Sequence, residues 1–223
     1  MSSKELGHSS NLLLKEEEFR KLSVDDQEYY LYLLKERLRE LKENRLLYYL
    51  PNPKQEIFHK SNAHVRAVFG GNRSGKTTCG CVEFLWHLTG KYPDWYPKEL
   101  RYSRSVKGRI FCEDFQKAGS QVIVPAIEEW LNLDLVAKRT RNPMGFPIHW
   151  RLKNGSTFQV LTYEQKTAHY EGWKGDLAWF DEPPSRDKYI ATQRGLVDSG
   201  GRTMLTLTPL SQPWLYDELV TNK

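Results

Sequence analysis

One short stretch constrains the fold of this chain more than any other, the segment GGNRSGKT at residues 70–77. It matches the pattern G-x-x-x-x-G-K-[ST], in which glycines let the backbone wrap round a phosphate chain and present its amides. Residues 65–69 before it are β-prone and largely apolar, and residues 78–88 after it space apolar side chains as a helix does. Strand, glycine loop and helix in this order indicate a site for a nucleoside triphosphate.

Two residues at the end of this segment have specific roles in such a loop. Lys76 is placed to reach the β- and γ-phosphates, and the hydroxyl of Thr77 is placed to bind Mg²⁺. We therefore predict ATP and Mg²⁺ as ligands. The predicted nucleotide contacts in this segment are Gly70, Gly71, Asn72, Arg73, Ser74, Gly75, Lys76, Thr77 and Thr78.

A second candidate segment is an apolar run that ends in two acids. Residues 177–180 lead into Asp181 and Glu182, which two prolines follow. In P-loop ATPases of the additional-catalytic-glutamate class, the first acid organises the Mg²⁺ shell and the second polarises the attacking water. Phosphoryl transfer needs charge neutralisation and positioning more than covalent chemistry, so these groups suffice. We predict a metal site at Thr77 and Asp181, with Glu182 as the water-activating group.

Two further positions are weaker candidates. Residues 202–209 form a β-prone run in which Thr206 and Thr208 project to one side, and Thr208 suits a sensor of the γ-phosphate. The alternative is an ordinary threonine-rich strand. Gln55 lies upstream of the glycine loop, and its amide can both donate and accept, as recognition of adenine requires. The alternative there is a surface glutamine on a short helix.

Composition narrows the class of protein. The chain has 223 residues, a net charge of +5 and a mean hydropathy of −0.66. It contains no apolar run of about eighteen residues, which excludes a membrane span, and no apolar core of a signal peptide, which predicts a cytosolic protein. Its three cysteines lack zinc-type spacing and are expected to be reduced and packed in the core. The mild positive charge permits a polyanionic partner without requiring one.

The remaining segments predict the architecture. Residues 1–47 are expected to form a helical arm, with Ser23 capping an amphipathic helix that packs on the domain rather than forming a coiled coil. Residues 116–131 are expected to be a helix interrupted or begun near Pro125. Asn154 and Gly155 predict a β-hairpin between residues 148–153 and 156–161. The predicted fold is α/β, with a mainly parallel sheet, helices on both faces and this hairpin as an insertion.

Taken together, these motifs resemble the large terminase subunit of tailed bacteriophages over about residues 48–215. The resemblance rests on PKQ at residues 53–55, GGNRSGKT at 70–77, WFDE at 179–182 and TLTP at 206–209. It implies adenine contact by Gln55, catalysis by Glu182 with Lys76, and a nucleotide-sensing arginine at Arg73. It also implies that Thr206 and Thr208 couple the state of the nucleotide to the movement of DNA. Family members are ATPases that pump double-stranded DNA into a procapsid as a ring docked on the portal, together with a small terminase subunit. A viral protein of this kind is expected in the host cytoplasm.

The chain departs from the family pattern in two ways. Some terminases carry an arginine before the glycine that precedes the acidic strand, and here that position, before Gly172, holds Glu171. Candidate arginine fingers are therefore Arg194, Arg139 and Arg141. Family members also continue into a nuclease domain, whereas this sequence stops at Lys223, so we expect an ATPase domain over residues 48–223 without the nuclease.

DNA contacts are expected to be mainly to phosphates, because a packaging motor must accept any sequence. Two basic clusters could supply them, Arg101, Arg104, Lys107 and Arg109, and Lys138, Arg139 and Arg141. Alternatives to a packaging motor are a P-loop helicase or translocase, a nucleotide kinase or GTPase, and a nucleotide-gated assembly module without turnover. No Asn-Lys-x-Asp guanine motif is present, and a water-activating Glu182 suits hydrolysis better than transfer to an acceptor.

Overall fold

The computed structural model describes residues 14–208 and 213–217. Its contacts divide the chain into two units, Met1–Arg45 and Leu46–Lys223. In the first unit, α1 spans Glu16–Arg20 and α2 spans Val24–Glu43. Ser23 caps α2 as predicted, because its hydroxyl oxygen accepts a 3.2 Å hydrogen bond from the amide of Asp26.

A seven-stranded sheet organises the second unit, with the strand order β1-β7-β6-β2-β5-β4-β3. The strands are β1 (Val65–Phe69), β2 (Lys107–Cys112), β3 (Val136–Arg141), β4 (Pro147–Leu152), β5 (Thr157–Thr162), β6 (Leu177–Asp181) and β7 (Arg202–Leu207). The first five in the spatial order run parallel, whereas β4 and β3 are antiparallel to their neighbours. The carboxyl ends of the parallel strands therefore lie along one edge of the sheet.

Helices cover both faces of this sheet. The helices of the second unit are α3 (Pro53–Lys60), α4 (Lys76–Thr89), α5 (Val124–Trp130), α6 (Arg186–Leu196) and α7 (Pro213–Tyr216). One buried cluster joins α4 and α5 to one face, where Phe84 contacts Phe158 and Trp179. A second cluster joins α6 to the opposite face, where Phe180 contacts Tyr189. The predicted α/β fold, with a mainly parallel sheet and helices on both faces, is confirmed.

The predicted hairpin is also present, formed by β4 and β5. Gly155 in its turn has φ +88°, a conformation that glycine adopts without steric cost. The two strands are not a separate insertion, because β5 also pairs with β2 and so extends the central sheet. Strand β3, which continues the sheet beyond β4, was not predicted.

Residues 115–131 differ in their helical winding from the sequence prediction, which was a helix over residues 116–131 interrupted or begun near Pro125. Phe115–Ile123 form a π-helix, and α5 begins directly after it at Val124. Pro125 lies in the first turn of α5, where its missing N–H is not needed. The expected break near Pro125 is therefore correct, whereas the π-helical winding was not foreseen.

Two predictions from composition can be compared with this structure. Cys79, Cys81 and Cys112 are free and fully buried, as expected of reduced cysteines in the core. Among residues 14–208 and 213–217, no helix is long and apolar enough to cross a membrane.

Candidate nucleotide-binding site

The strand order brings the predicted motifs together at one edge of the sheet. Strand β7 lies between β1 and β6, and Leu207 is paired with Phe69 while Thr206 is paired with Asp181. The amide of Gly70 donates a 3.1 Å hydrogen bond to the carbonyl of Leu207, which joins the start of the glycine loop to β7. The glycine loop, the acidic pair and the two threonines therefore lie side by side.

The glycine loop connects β1 to α4, which begins at Lys76. Arg73 and Gly75 have φ values of +61° and +80°, so the loop turns through two left-handed residues before the helix starts. Lys76 is 7% exposed, and its Nζ donates a 3.0 Å hydrogen bond to the carbonyl of Gly71. A curved backbone at the amino end of a helix, with a lysine ammonium beneath it, suits a phosphate chain.

Asp181 lies at the centre of a set of hydroxyl groups. Its Oδ1 accepts hydrogen bonds from Thr77 Oγ1 at 3.1 Å and from Thr206 Oγ1 at 2.7 Å. The indole of Trp179 in turn donates to Thr206 Oγ1 at 2.8 Å, which fixes that hydroxyl. Burial raises the pKa of Asp181 to about 6, and the two hydroxyl hydrogen bonds oppose this rise. Oxygen ligands from Thr77 and Asp181 are of the kind that Mg²⁺ prefers.

Glu182 is held at both its carboxylate and its backbone. The carboxylate accepts hydrogen bonds from the Thr208 amide at 2.7 Å and from Thr208 Oγ1 at 2.8 Å. The backbone has φ +70°, and Glu182 and Arg73 are the two non-glycine residues with positive φ in the described chain. Such a conformation costs free energy and persists where neighbouring contacts impose it. One of these contacts is a 2.6 Å hydrogen bond from the Tyr163 hydroxyl to the carbonyl of Glu182.

Gln55 lies beside the glycine loop, although its amide is engaged within the chain. Its Nε2 donates a 3.2 Å hydrogen bond to the carbonyl of Gly75, and its Oε1 accepts one from the Asn52 amide at 2.9 Å. The second bond belongs to a capping box at the start of α3. The structure thus places Gln55 next to the loop, and its contact with adenine stays a prediction.

The three candidate arginine fingers are not brought to the glycine loop. Arg194 is exposed on α6. Arg139 forms an ion pair with Glu128 at 2.9 Å and lies over the ring of Trp150, and Arg141 donates to the carbonyl of Gly145. Within the described residues, no contact joins any of the three to residues 70–77.

Most side chains of the first predicted DNA-contacting cluster, at residues 101–109, form hydrogen bonds or ion pairs within the protein. Arg101 donates to the carbonyls of Pro93 and Tyr96, and Arg104 forms an ion pair with Asp176 at 2.7 Å. Arg109 is 8% exposed. It donates to carbonyls of residues 169 and 170, and burial lowers its pKa to about 10. The prediction that Arg109 contacts DNA is therefore wrong, because its side chain fixes the loop before β6.

The sequence analysis missed a buried ionic network behind the site. Glu83 of α4 is fully buried and accepts hydrogen bonds from His59, Arg66, His87 and Tyr96 at 2.8, 2.6, 3.1 and 2.7 Å. Burial alone would raise the pKa of Glu83, but the Arg66 charge and the two histidine hydrogen bonds hold it well below its ordinary value. The i, i+4 spacing of Glu83 and His87 on an apolar helix was the available signal.

Comparison with known proteins decides the family of this chain. A family model described as "Terminase large subunit, T4likevirus-type, N-terminal" matches residues 68–222. The chain belongs to the terminase large subunit family. The terminase match begins at the end of β1 and includes the glycine loop, the acidic pair and β7, so the resemblance drawn from these motifs is confirmed.

One curated relative supports the same assignment, and two solved structures share the fold. The large terminase subunit of Salmonella phage P22 is 33% identical over an alignment of 225 residues, which covers 85% of this chain and 45% of that protein. The chain thus spans about half the length of this curated relative. The large terminase ATPase domain of Thermus phage P74-26 aligns with a TM-score of 0.56 at 19% identity, covering 78% of this chain and 70% of that one. The large terminase of a second thermophilic bacteriophage aligns with a TM-score of 0.56 at 12% identity, covering 76% of this chain and 42% of that one.

Proposed function

We propose that this terminase domain hydrolyses ATP, and that hydrolysis drives the movement of double-stranded viral DNA into a procapsid. The observation that carries the proposal is the arrangement at the ends of β6 and β7. There Asp181 lies 3.1 Å from the hydroxyl of Thr77, while Glu182 is oriented by Thr208. This arrangement combines metal-binding oxygens with a separate, oriented carboxylate, as hydrolysis of a phosphoric anhydride requires.

The residues of the site have distinct roles in this reaction. The loop amides and Lys76 bind the phosphates, and Thr77 with Asp181 would hold Mg²⁺, which when bound neutralises phosphate charge. Glu182 accepts a proton from the attacking water as the water oxygen bonds to the γ-phosphorus. The bond between that phosphorus and the bridging oxygen breaks, and ADP and phosphate leave. A positioned base contributes about 10²–10⁴ in rate, and a preorganised electrostatic contact contributes about 10²–10³.

Further residues would set nucleotide choice and coupling. Gln55 lies beside the loop and is proposed to contact adenine, and Arg73 is proposed to sense the bound nucleotide in cis. Thr206 and Thr208 connect Asp181 and Glu182 to β7, which suits a coupling role. Arg194 and Arg139 are both exposed, but Arg139 is paired with Glu128, which favours Arg194 as an arginine finger acting on a neighbouring subunit. We also propose that the protein acts in the host cytoplasm, in a ring of subunits docked on the portal and together with a small terminase subunit.

The test is steady-state phosphate release from ATP. Glu182→Gln is expected to lower turnover at least about 100-fold while ATP binding persists, and Lys76→Ala is expected to weaken ATP binding itself. Glu99→Gln, at an exposed position outside the sheet, is the control and should leave both unchanged. Turnover that survives Glu182→Gln would overturn the active-site assignment. ATP binding without turnover in every variant would instead favour a nucleotide-gated assembly module.

A further inference from the structure

One face of the sheet is covered by helix over only part of its width. The buried cluster on the α6 side takes strand residues from β2, β5, β6 and β7. In the described part of the chain, it takes none from β3 or β4. Thr140 of β3 and His149 of β4 are paired across the two strands, and both are exposed. The outer half of this face is therefore open to solvent.

A row of residues crosses four adjacent strands on that open face. Lys138 of β3 is paired with Arg151 of β4, Arg151 with Thr157 of β5, and Thr157 with Lys107 of β2. Residues paired in this way project to the same face of a sheet. With about 4.8 Å between strands, the row extends over about 14 Å. We call these four residues the cross-strand row.

The neighbours of the row show which face it occupies. A Cβ on Gly108, the residue after Lys107, would lie 2.6 Å from the ring of Phe84, so Gly108 faces α4. Trp150 and Phe158, adjacent to Arg151 and Thr157, are buried in the core on the same side. Because successive side chains alternate in a strand, the cross-strand row faces away from α4.

The row carries three cations that form no ion pair within the described residues, although the Asp176 carboxylate, which is paired with Arg104, accepts a hydrogen bond from the backbone amide of Lys107. Lys107, Lys138 and Arg151 are exposed, and no ion pair to a carboxylate joins any of them within residues 14–208 and 213–217. Like charges directly opposite each other, as in Lys138 and Arg151, disfavour strand pairing. Arg139, one residue further along β3, is instead paired with Glu128. The row is therefore a set of exposed cations on adjacent strands of the sheet.

We propose that the cross-strand row binds the phosphate backbone of double-stranded DNA. This inference rests on the proposed packaging function and names the surface involved. Three cations and the Thr157 hydroxyl can bond phosphate oxygens without reading bases, as a motor that accepts any sequence requires. A bound polyanion also relieves the repulsion between Lys138 and Arg151. Of the cluster at residues 138–141, Lys138 belongs to this surface and Arg139 does not.

The experiment measures binding of a labelled, random-sequence DNA duplex to the full chain by fluorescence anisotropy across a salt series. The test variant carries Lys138→Glu and Arg151→Glu. The control carries Lys35→Glu and Lys98→Glu, two exposed lysines outside the sheet, and has the same net charge. We expect binding at least tenfold weaker in the test variant at low salt, and at most twofold weaker in the control. Loss of two phosphate contacts should also reduce the slope of log K against log salt by about 1.8.

Three results would overturn the proposal. The first is an equal loss of DNA affinity in the test variant and the control, and the second is unchanged DNA affinity in the test variant. The third is that the native chain binds poly-glutamate more tightly than DNA and that the test variant abolishes the binding of poly-glutamate. The last result would assign the row to an acidic protein. ATP turnover without DNA is measured alongside and should be unchanged in both variants, since neither alters the nucleotide site. If the proposed ATPase function is wrong, ATP turnover will not respond to Glu182→Gln. That result is separate from the DNA-binding result, so the two failures can be told apart.

Discussion

The hydroxyl of Tyr163 lies 2.6 Å from the carbonyl oxygen of Glu182, whose backbone has φ +70°. Tyr163 directly follows β5, and its hydrogen bond reaches across to the residue that directly follows β6. Burial raises the pKa of Tyr163 well above its ordinary value, so the hydroxyl stays a donor at every physiological pH. Glu182 is thereby held by its carbonyl from one side and by its carboxylate, through Thr208, from the other.

Loss of this single hydroxyl should slow hydrolysis without weakening nucleotide binding. We expect Tyr163→Phe to lower kcat about tenfold, or about 1.4 kcal/mol, because the strained peptide relaxes and the carboxylate loses its orientation. KM for ATP should change little. Tyr170→Phe is the matched control, since the Tyr170 hydroxyl donates to the carbonyl of Thr162 at 2.8 Å.

A double variant separates a positioning role from a loss of stability. If Tyr163 acts through Glu182, adding Tyr163→Phe to Glu182→Gln should cause no further loss of turnover. A second tenfold loss in that background, or an equal loss in Tyr170→Phe, would contradict the assignment.

Removing the buried charge of Glu83 should destabilise the whole second unit. Glu83→Gln leaves Arg66 buried without its carboxylate, a change that costs about 3–5 kcal/mol in proteins. Glu56→Gln, which removes an exposed pairing with Lys60, should cost at most about 1 kcal/mol. The free energy of unfolding in urea measures both.

The contribution of Glu83 to stability should depend on pH. The pKa of Glu83 lies below its unfolded value, so its contribution to stability is present at neutral pH and is lost as the pH falls. The difference in the free energy of unfolding between the native chain and Glu83→Gln should therefore shrink below about pH 4, where a glutamate carboxyl ordinarily becomes protonated. A constant difference between pH 7 and pH 3 would show that the charge of Glu83 is not responsible.

Close packing of α4 on the strands predicts an effect at Gly80. A Cβ there would lie 2.6 Å from Trp179 Nε1 and 2.9 Å from Thr206 Cγ2. Since these two residues position Asp181, Gly80→Ala should lower stability by about 1–3 kcal/mol and also weaken Mg²⁺-dependent ATP binding. This loss outweighs the gain of about 1 kcal/mol in helix propensity.

Gly195→Ala in α6 is the control for that variant. Its Cβ would lie 2.4 Å from the carbonyl of Trp173, so it creates a comparable clash away from the acidic pair. Thermal unfolding should shift in both variants, whereas ATP binding should weaken in Gly80→Ala alone. Equal losses of binding would show a general effect of packing.

The sequence predicted those parts of the site that lie in contiguous motifs. Residues 70–77 and Asp181 with Glu182 carry their chemistry in a few adjacent positions, and the hairpin at Asn154 and Gly155 follows from local turn geometry. Strand β3 was not predicted, because its residues after Val136 are exposed. It therefore lacks the alternation of apolar and polar residues by which a strand is recognised in a sequence.

Contacts between distant residues explain the other omissions. Glu83 and its four partners are spread over residues 59–96, and no spacing rule connects a carboxylate on one helix to an arginine on a strand. Tyr163 likewise meets Glu182 only because β5 and β6 both flank β2. The expectation for Arg109 failed for the same reason, since the sequence does not show that a later loop covers this side chain.

The first turn of α3 and the start of α4 are joined by the Gln55 hydrogen bond, and His59 and Glu83 join the same helices further along. Two attachments on one pair of helices prevent them from sliding independently. In the proposed complex, the separation between the group that contacts the base and the lysine that contacts the phosphates is therefore set by the protein interior. A nucleotide in the proposed complex would therefore have to place its base and its phosphates at a separation that the protein fixes, and not at one that the ligand imposes.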